Sequence, residues 1–192
     1  MAKTKTVIIF NGPPGSGKDE CAKHFTSFSD LRSNIHAENK QHLLEIALLL
    51  TGVSKEVWME RYLVRELKDT PWDVCGGLSQ RNFYIKISEE WCKPLFGRDY
   101  FGKISADRIR KSDASMFFFS DGGFHNETAA IRKACDHMIV FRLHREGCDF
   151  SNDSRDYIRM ERDDITEIDI YNHGTLVEMF EAIAYAIDSV LN

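Results

Sequence analysis

Gly12-Pro13-Pro14-Gly15-Ser16-Gly17-Lys18-Asp19 is where residue type and spacing come closest to dictating chemistry. The glycines fall as G-x-x-x-x-G-K, with Asp19 where a phosphate-binding loop usually carries Ser or Thr. Gly12, Gly15 and Gly17 permit backbone turns that a side chain would forbid, so successive N–H groups can converge on phosphate oxygens. The loop opens into a helical pattern, whose unpaired N–H groups and positive dipole end favour an anion. Lys18 adds a full cation able to bridge β- and γ-phosphates. Gly12, Gly15, Ser16, Gly17, Lys18 and Asp19 together therefore predict a cradle for a nucleoside triphosphate. A plain Gly/Pro turn ending a strand would not require a lysine directly before a helix. Asp19 has two readings: a hard oxygen ligand for Mg²⁺, or an acid suited to the first turn of a helix.

Asp121 is the second candidate. It follows Met116-Phe117-Phe118-Phe119-Ser120, a bulky apolar run of the kind that forms a buried strand. In a parallel sheet the C-terminal ends of the strands share one edge, where ligands collect, so Asp121 would sit beside the phosphate loop. There it would hold Mg²⁺ through water or accept a substrate hydrogen bond; the competing role is turn chemistry before Gly122-Gly123. Arginines offer a third group. Arg142 follows an apolar run, and Arg155, Arg159 and Arg162 lie among many acids between residues 146 and 164. Either this is a solvated charged face, or a lid whose arginines, chiefly Arg142 and Arg155, close over transferring phosphates.

These groups need a scaffold. With 192 residues, 43% hydrophobic, the chain can bury one full core with a subdomain inserted. A net charge of −5 argues against a surface that coats nucleic acid, which needs a basic face. The five cysteines include no C-x-x-C pair, and with the seven histidines they make no zinc spacing. They read as reduced thiols of a cytoplasmic protein. The apolar run after Lys5 is too short for a signal peptide or a membrane span.

Five strands are expected: Thr6–Phe10, a weak Asn34–Ala37, Met116–Phe119, Met138–Phe141 continuing into Arg142-Leu143-His144-Arg145, and Ile168–Tyr171. His36 reads as a strand-end polar residue. Helices separate the strands. The one after the loop should bury Cys21, Phe25 and Phe28. Apolar residues almost surround the segment from Glu38 to Leu50, which predicts a largely buried helix stopped by Gly52. Ser54 should cap the next helix, with Met59, Leu63 and Leu67 in line; another starts at Ser79, aligns Phe83, Ile87 and Trp91, and ends at Pro94. One more runs from Asp99 to Lys111. After the third strand a short helix begins near Asn126, and Thr175-Leu176-Val177-Glu178 forms a capping box for the last. The expected organisation is an α/β, three-layer P-loop fold with a five-stranded parallel sheet of order 2-3-1-4-5. Residues 1–37 and 112–192 form its core, with a lid at about 142–165, and residues 38–111 form a helical insertion. Apolar positions on that insertion would suit a homodimer.

This layout is that of nucleoside monophosphate kinases, and several motifs are more specific. The chain resembles the bacteriophage-type deoxynucleoside monophosphate kinases, which share the Ser-Gly-Lys-Asp form of the loop with phosphomevalonate kinases. The resemblance rests on Ser16-Gly17-Lys18-Asp19, Arg65-Glu66-Leu67-Lys68, Ser79-Gln80-Arg81, Glu89-Glu90-Trp91 and Phe96-Gly97-Arg98-Asp99-Tyr100-Phe101. Asp121-Gly122-Gly123-Phe124-His125-Asn126-Glu127 and Tyr171-Asn172-His173-Gly174-Thr175-Leu176 continue it in the same order. It implies Mg²⁺-dependent transfer of a phosphoryl group from ATP to a deoxynucleoside monophosphate, with small-molecule nucleotides as partners and neither nucleic acid nor membrane. It further implies Arg65 and Arg81 on the acceptor phosphate, Phe101 near the acceptor base, and Lys68, Arg98 and Glu127 in the same acceptor site. Two positions depart from the family pattern: Glu20 stands where Thr is frequent, and Gly123 where Arg is frequent.

In-line transfer to an anionic acceptor asks for positioning and charge neutralisation rather than a general base. The expected roles are loop N–H groups and Lys18 on the ATP phosphates, Asp19 and Asp121 on Mg²⁺, and Arg142 and Arg155 on transition-state charge. Two rival functions are a kinase for another small metabolite, with Asp121 as base if the acceptor is a hydroxyl, and a non-catalytic nucleotide-binding regulator.

Overall fold

The computed structural model describes residues 3–27, 34–151, 153 and 155–191, with only the backbone at Arg65. Phe28 therefore lies outside the described residues. The chain divides into two compact units: residues 1–39 with 102–192, and residues 40–101.

In the larger unit β1 (Thr6–Asn11) leads through the glycine loop into α1 (Lys18–Ser27), and β2 spans Asn34–Ala37. The smaller unit then contributes α2 (Lys40–Thr51), α3 (Lys55–Tyr62), α4 (Arg65–Lys68), α5 (Gln80–Ile85), a π-helical stretch at Lys86–Cys92 and α6 (Lys93–Phe96). Helix α7 (Tyr100–Lys111) crosses the boundary. After it come β3 (Met116–Phe119), α8 (His125–Arg132), β4 (His137–Arg145), β5 (Thr166–Asn172) and α9 (Leu176–Leu191).

The five strands form one parallel sheet, ordered β2-β3-β1-β4-β5, in a three-layer α/β fold. Alternation along the strands sorts the core into two layers. Val7, Ile9, Phe117, Phe119, Met138 and Val140 pack with Ala106 and Ile109 of α7 and Ile131 of α8. Ile8, Phe10, Phe118, Ile139, Phe141 and Leu143 pack on the opposite face with Cys21 and Ala22 of α1 and Met179, Ile183 and Ile187 of α9. Burial pushes the Cys21 thiol up to about 12 and the Cys135 thiol up to about 11. The capping box of α9 forms: the Thr175 amide donates to Glu178 Oε2 at 2.7 Å, and the Glu178 amide to Thr175 Oγ1 at 3.3 Å.

The smaller unit has its own core of Ala47, Trp58, Cys75, Tyr84, Ile87, Cys92 and Phe101. It departs from the sequence pattern in three places. Helix α2 is not largely buried, since Leu49 is 85% exposed and only Ala47 is fully covered. The stripe Met59-Leu63-Leu67 does not form, because the helix ends at Tyr62 and Trp58 becomes the buried residue of α3, leaving Leu63 exposed. Nor does the helix begun at Ser79 stop at Pro94; it widens into the π-helical stretch and runs on to Phe96, where Gly97 ends it at φ 100°. Wider turns shift the helical register, so Ile87, Ser88 and Cys92 face inward and Trp91 faces solvent. Among the described residues, no helix is long and apolar enough to cross a membrane.

Candidate functional site

Parallel pairing of β1 with β3 and β4 brings Asn11, Ser120 and Arg142 to one edge of the sheet. The glycine loop lies there. Gly15 and Gly17 adopt φ 85° and 100°, the left-handed region that only glycine occupies without strain. Gly12 is needed for space instead: a Cβ there would lie 2.8 Å from the carbonyl oxygen of Leu143 and 2.6 Å from Ser16 Oγ. Ser16 is buried, and its Oγ has no hydrogen-bond partner among protein atoms. An unmet polar atom beside turning backbone fits a loop that takes an anionic ligand. Lys18, the first residue of α1, is 7% exposed and donates to the Pro13 carbonyl at 3.3 Å, which holds its ammonium over the loop. Asp19 follows in the first turn and is exposed.

Asp121 is half-buried, and its Oδ1 accepts from the Asn39 amide at 3.0 Å. The Asn39 side-chain oxygen in turn accepts from Ser105 Oγ at 2.6 Å. His36 approaches Ser120 Oγ through Nε2 at 3.0 Å, which keeps it a strand-end partner of the residue before Asp121. Asp19 and Asp121 are the two carboxylates here that would hold a Mg²⁺ ion. Among the described residues, no cluster of three or more His, Cys, Asp or Glu could hold a metal.

Arg155 reaches the same edge. Its stem lies on Gly123, where a Cβ would come within 2.6 to 2.7 Å of the Arg155 Cβ, Cγ and Cδ atoms. The guanidinium pairs with Asp153, with Nε 2.8 Å from Oδ1, and its charge is stabilised first by that bond and further by Asp121 and Asp19. The side chain of Asp153 is only 7% exposed. Burial alone would raise its pKa, but Arg155 and the nearby Lys18 charge more than offset this and hold it below the usual carboxylate range. Lys18, Asp19, Asp121 and Arg155 are thus brought together. Arg145 joins them, donating to the Gly15 carbonyl at 2.9 Å, and the Cys148 thiol would lie 3.2 Å from a Cβ at Gly15.

Arg142 corrects the expectation of a transition-state residue. It lies within β4, not in a lid, and its donors are spent on Asp169 (2.8 and 2.7 Å), the Ile158 carbonyl (3.1 Å) and Glu167. The paired carboxylates lie on the neighbouring strand β5, so the guanidinium ties the sheet edge to the segment before it. The Arg142 hydrogen bonds hold Asp169 far below the usual carboxylate range against the opposing effect of burial, and a bond from His144 adds to this. A carboxyl whose folded pKa is depressed stabilises the fold above its unfolded value and loses that contribution as pH falls through the folded value. The stability difference between wild type and Asp169→Asn should therefore hold steady down to about pH 5 and shrink below about pH 4. Urea titrations at several pH values check this; a difference that stays constant into strong acid would remove the charge-dependent role.

Phe101 is also corrected. It is 2% exposed, its ring enclosed in the core of the smaller unit, so no face is left for a base. In that unit Arg81 donates to Asp69 at 2.6 Å, Lys68 lies over the Tyr62 ring at 5.5 Å, and Arg98 is exposed. The backbone of Arg65 opens α4; its side chain is outside the described residues. Glu127 is buried in the first turn of α8, with Gly102 packed against its backbone. Sequence reasoning passed over Asn11, Asn39 and Asp153, and noted Gly123 only as a departure from the family pattern. Only Asn11 carried a signal, as a polar residue ending an apolar strand.

No family model matches the chain, and neither does any curated protein. Among solved structures it is similar to the unliganded crystal structure of a sugar kinase from Janibacter sp. HTCC2649, with 14% identity, 96% of this chain and 95% of that chain covered, and a TM-score of 0.46.

Proposed function

We propose that the chain is a kinase that transfers the γ-phosphoryl group of ATP to a deoxynucleoside monophosphate. The observation that carries this reading is the glycine loop, with its left-handed Gly15 and Gly17, side-chain-free Gly12, unmet Ser16 Oγ and overhanging Lys18. Loop N–H groups and Lys18 bind the β- and γ-phosphates. Asp19 and Asp121 would hold Mg²⁺, which would supply charge neutralisation at the phosphate oxygens. Arg155, released from Asp153, meets the charge that develops on the transferring group. An acceptor phosphate oxygen forms the new bond to the γ-phosphorus as the bond to the β,γ-bridging oxygen breaks, and ADP departs. The acceptor is already an anion and needs no base. Arg65, Lys68, Arg81 and Arg98 bind it, with Glu127 as a further contact.

Burial of Phe101 favours a second reading, in which the acceptor is another small phosphorylated metabolite that needs no aromatic stacking. A coupled assay of ATP consumption with Mg²⁺ and each common deoxynucleoside monophosphate in turn decides between them. Turnover with at least one is expected. Turnover only with a non-nucleotide phosphate supports the second reading. Silence with every acceptor, in a chain that still binds Mg·ATP, would leave a nucleotide-binding regulator.

A further inference from the structure

Asn11 ends β1, directly precedes Gly12 and is fully buried. Its carboxamide makes three hydrogen bonds to two separate stretches of backbone. Nδ2 donates to the Gly122 carbonyl at 3.1 Å and to the Asp156 carbonyl at 3.0 Å, while Oδ1 accepts from the Ile158 amide at 2.8 Å. The orientation of the amide is fixed by these partners, because two carbonyls require the NH₂ group and one N–H requires the oxygen. Gly122 is the residue after Asp121, and Asp156 is the residue after Arg155. One side chain therefore joins the carboxylate segment, the arginine segment and the start of the phosphate loop.

We propose that Asn11 is a positioning residue that sets Arg155 over the phosphate site. Gly123 supplies the bed on which the arginine stem lies, and the Asn11 amide fixes the backbone on either side of Tyr157 so that the stem meets that bed. Without those bonds Arg155 keeps its charge, but its hold on Asp153 loosens and it loses its place relative to Asp121 and Lys18. This proposal rests on the kinase reading for its catalytic consequence and on the hydrogen bonds alone for its structural one.

The test compares Asn11→Leu, Arg155→Met and the double variant. Misplacing a catalytic group by about an ångström costs roughly a hundredfold in rate, so Asn11→Leu should lower kcat by about that factor and move the KM for ATP by less than about threefold. If Asn11 acts through Arg155, the double variant is no slower than Arg155→Met by more than about threefold. Losses that multiply, or an unchanged kcat in Asn11→Leu, would overturn the proposal. Hydrogen exchange in the unliganded chain separates its failure from that of the kinase reading. The Ile158 amide and the Arg155 Nε–H should exchange at least about tenfold faster in Asn11→Leu, while β1 and β4 amides keep their protection. Unchanged exchange at both groups overturns the proposal whether or not any acceptor is phosphorylated. Should Asn11→Leu fail to fold, Asn11→Asp keeps the oxygen facing Ile158 and loses both donors, so faster exchange is then expected at Arg155 with Ile158 still protected; unchanged exchange at Arg155 would overturn it.

Discussion

Replacing Lys18 by methionine should reduce kcat/KM for phosphoryl transfer by about a thousandfold or more with the fold retained. Lys18 lies almost wholly inside the protein, its ammonium near the Pro13 carbonyl and its charge acting on Asp153. Methionine preserves the unbranched stem and most of the volume, so packing at the start of α1 survives. What disappears is the feature of the loop that its glycines cannot replace, a full positive charge beside the β- and γ-phosphates, where negative charge would build on the bridging oxygen as the bond breaks. Thermal denaturation without ligand checks the fold, and the coupled assay reads the chemistry. Near-normal turnover in Lys18→Met would remove the mechanism.

Arg142→Met has the next largest expected effect, on stability. The substitution strips two carboxylates on β5 of their shared cation and leaves the Ile158 carbonyl short of a donor. Breaking a buried ion pair from one side costs 3 to 5 kcal/mol as a rule, and because Asp169 is 31% open to solvent the lower end applies, about 3 kcal/mol. For a chain of this length that corresponds to a fall in Tm of roughly 10 °C. Arg142 as a catalytic lid residue would give the opposite pattern, with kcat collapsing while the Tm held. Scanning calorimetry beside the activity assay tells these apart.

Why Arg142 misled the sequence reading is instructive. An arginine following Met138–Phe141 and preceding an arginine-rich loop carries no mark of whether it belongs to strand or lid. Its carboxylate partners lie 25 and 27 residues downstream, a pairing that only the β4–β5 register creates. The central strands were legible because both faces of a parallel sheet are covered, which writes Val7–Phe10 and Met116–Phe119 as unbroken apolar runs. The loop was legible because glycine and lysine there answer to local geometry. The smaller unit was not. A pattern of leucines states which residues could be buried, and Leu49 is exposed for want of a neighbour, while a widening to π-helix turned Trp91 outward against its spacing. Asn11 and Gly123 act through segments far along the chain, and no local spacing announces such contacts.

The larger unit is discontinuous, with residues 40–101 spliced in between Asn39 and Gly102. Those two junctions are themselves moored to the larger unit: Asn39 through Asp121 and Ser105, Gly102 through the backbone of Glu127. Gly122, Leu143, Cys148 and Met179, which wall the loop or brace Asn11, all come from the host segments, and none comes from the guest. A helical cassette exchanged between these junctions would leave the packing around Gly12, Gly15 and Gly17 intact. Under the proposed function, such an exchange would alter the acceptor without rebuilding the loop that holds the donor phosphates.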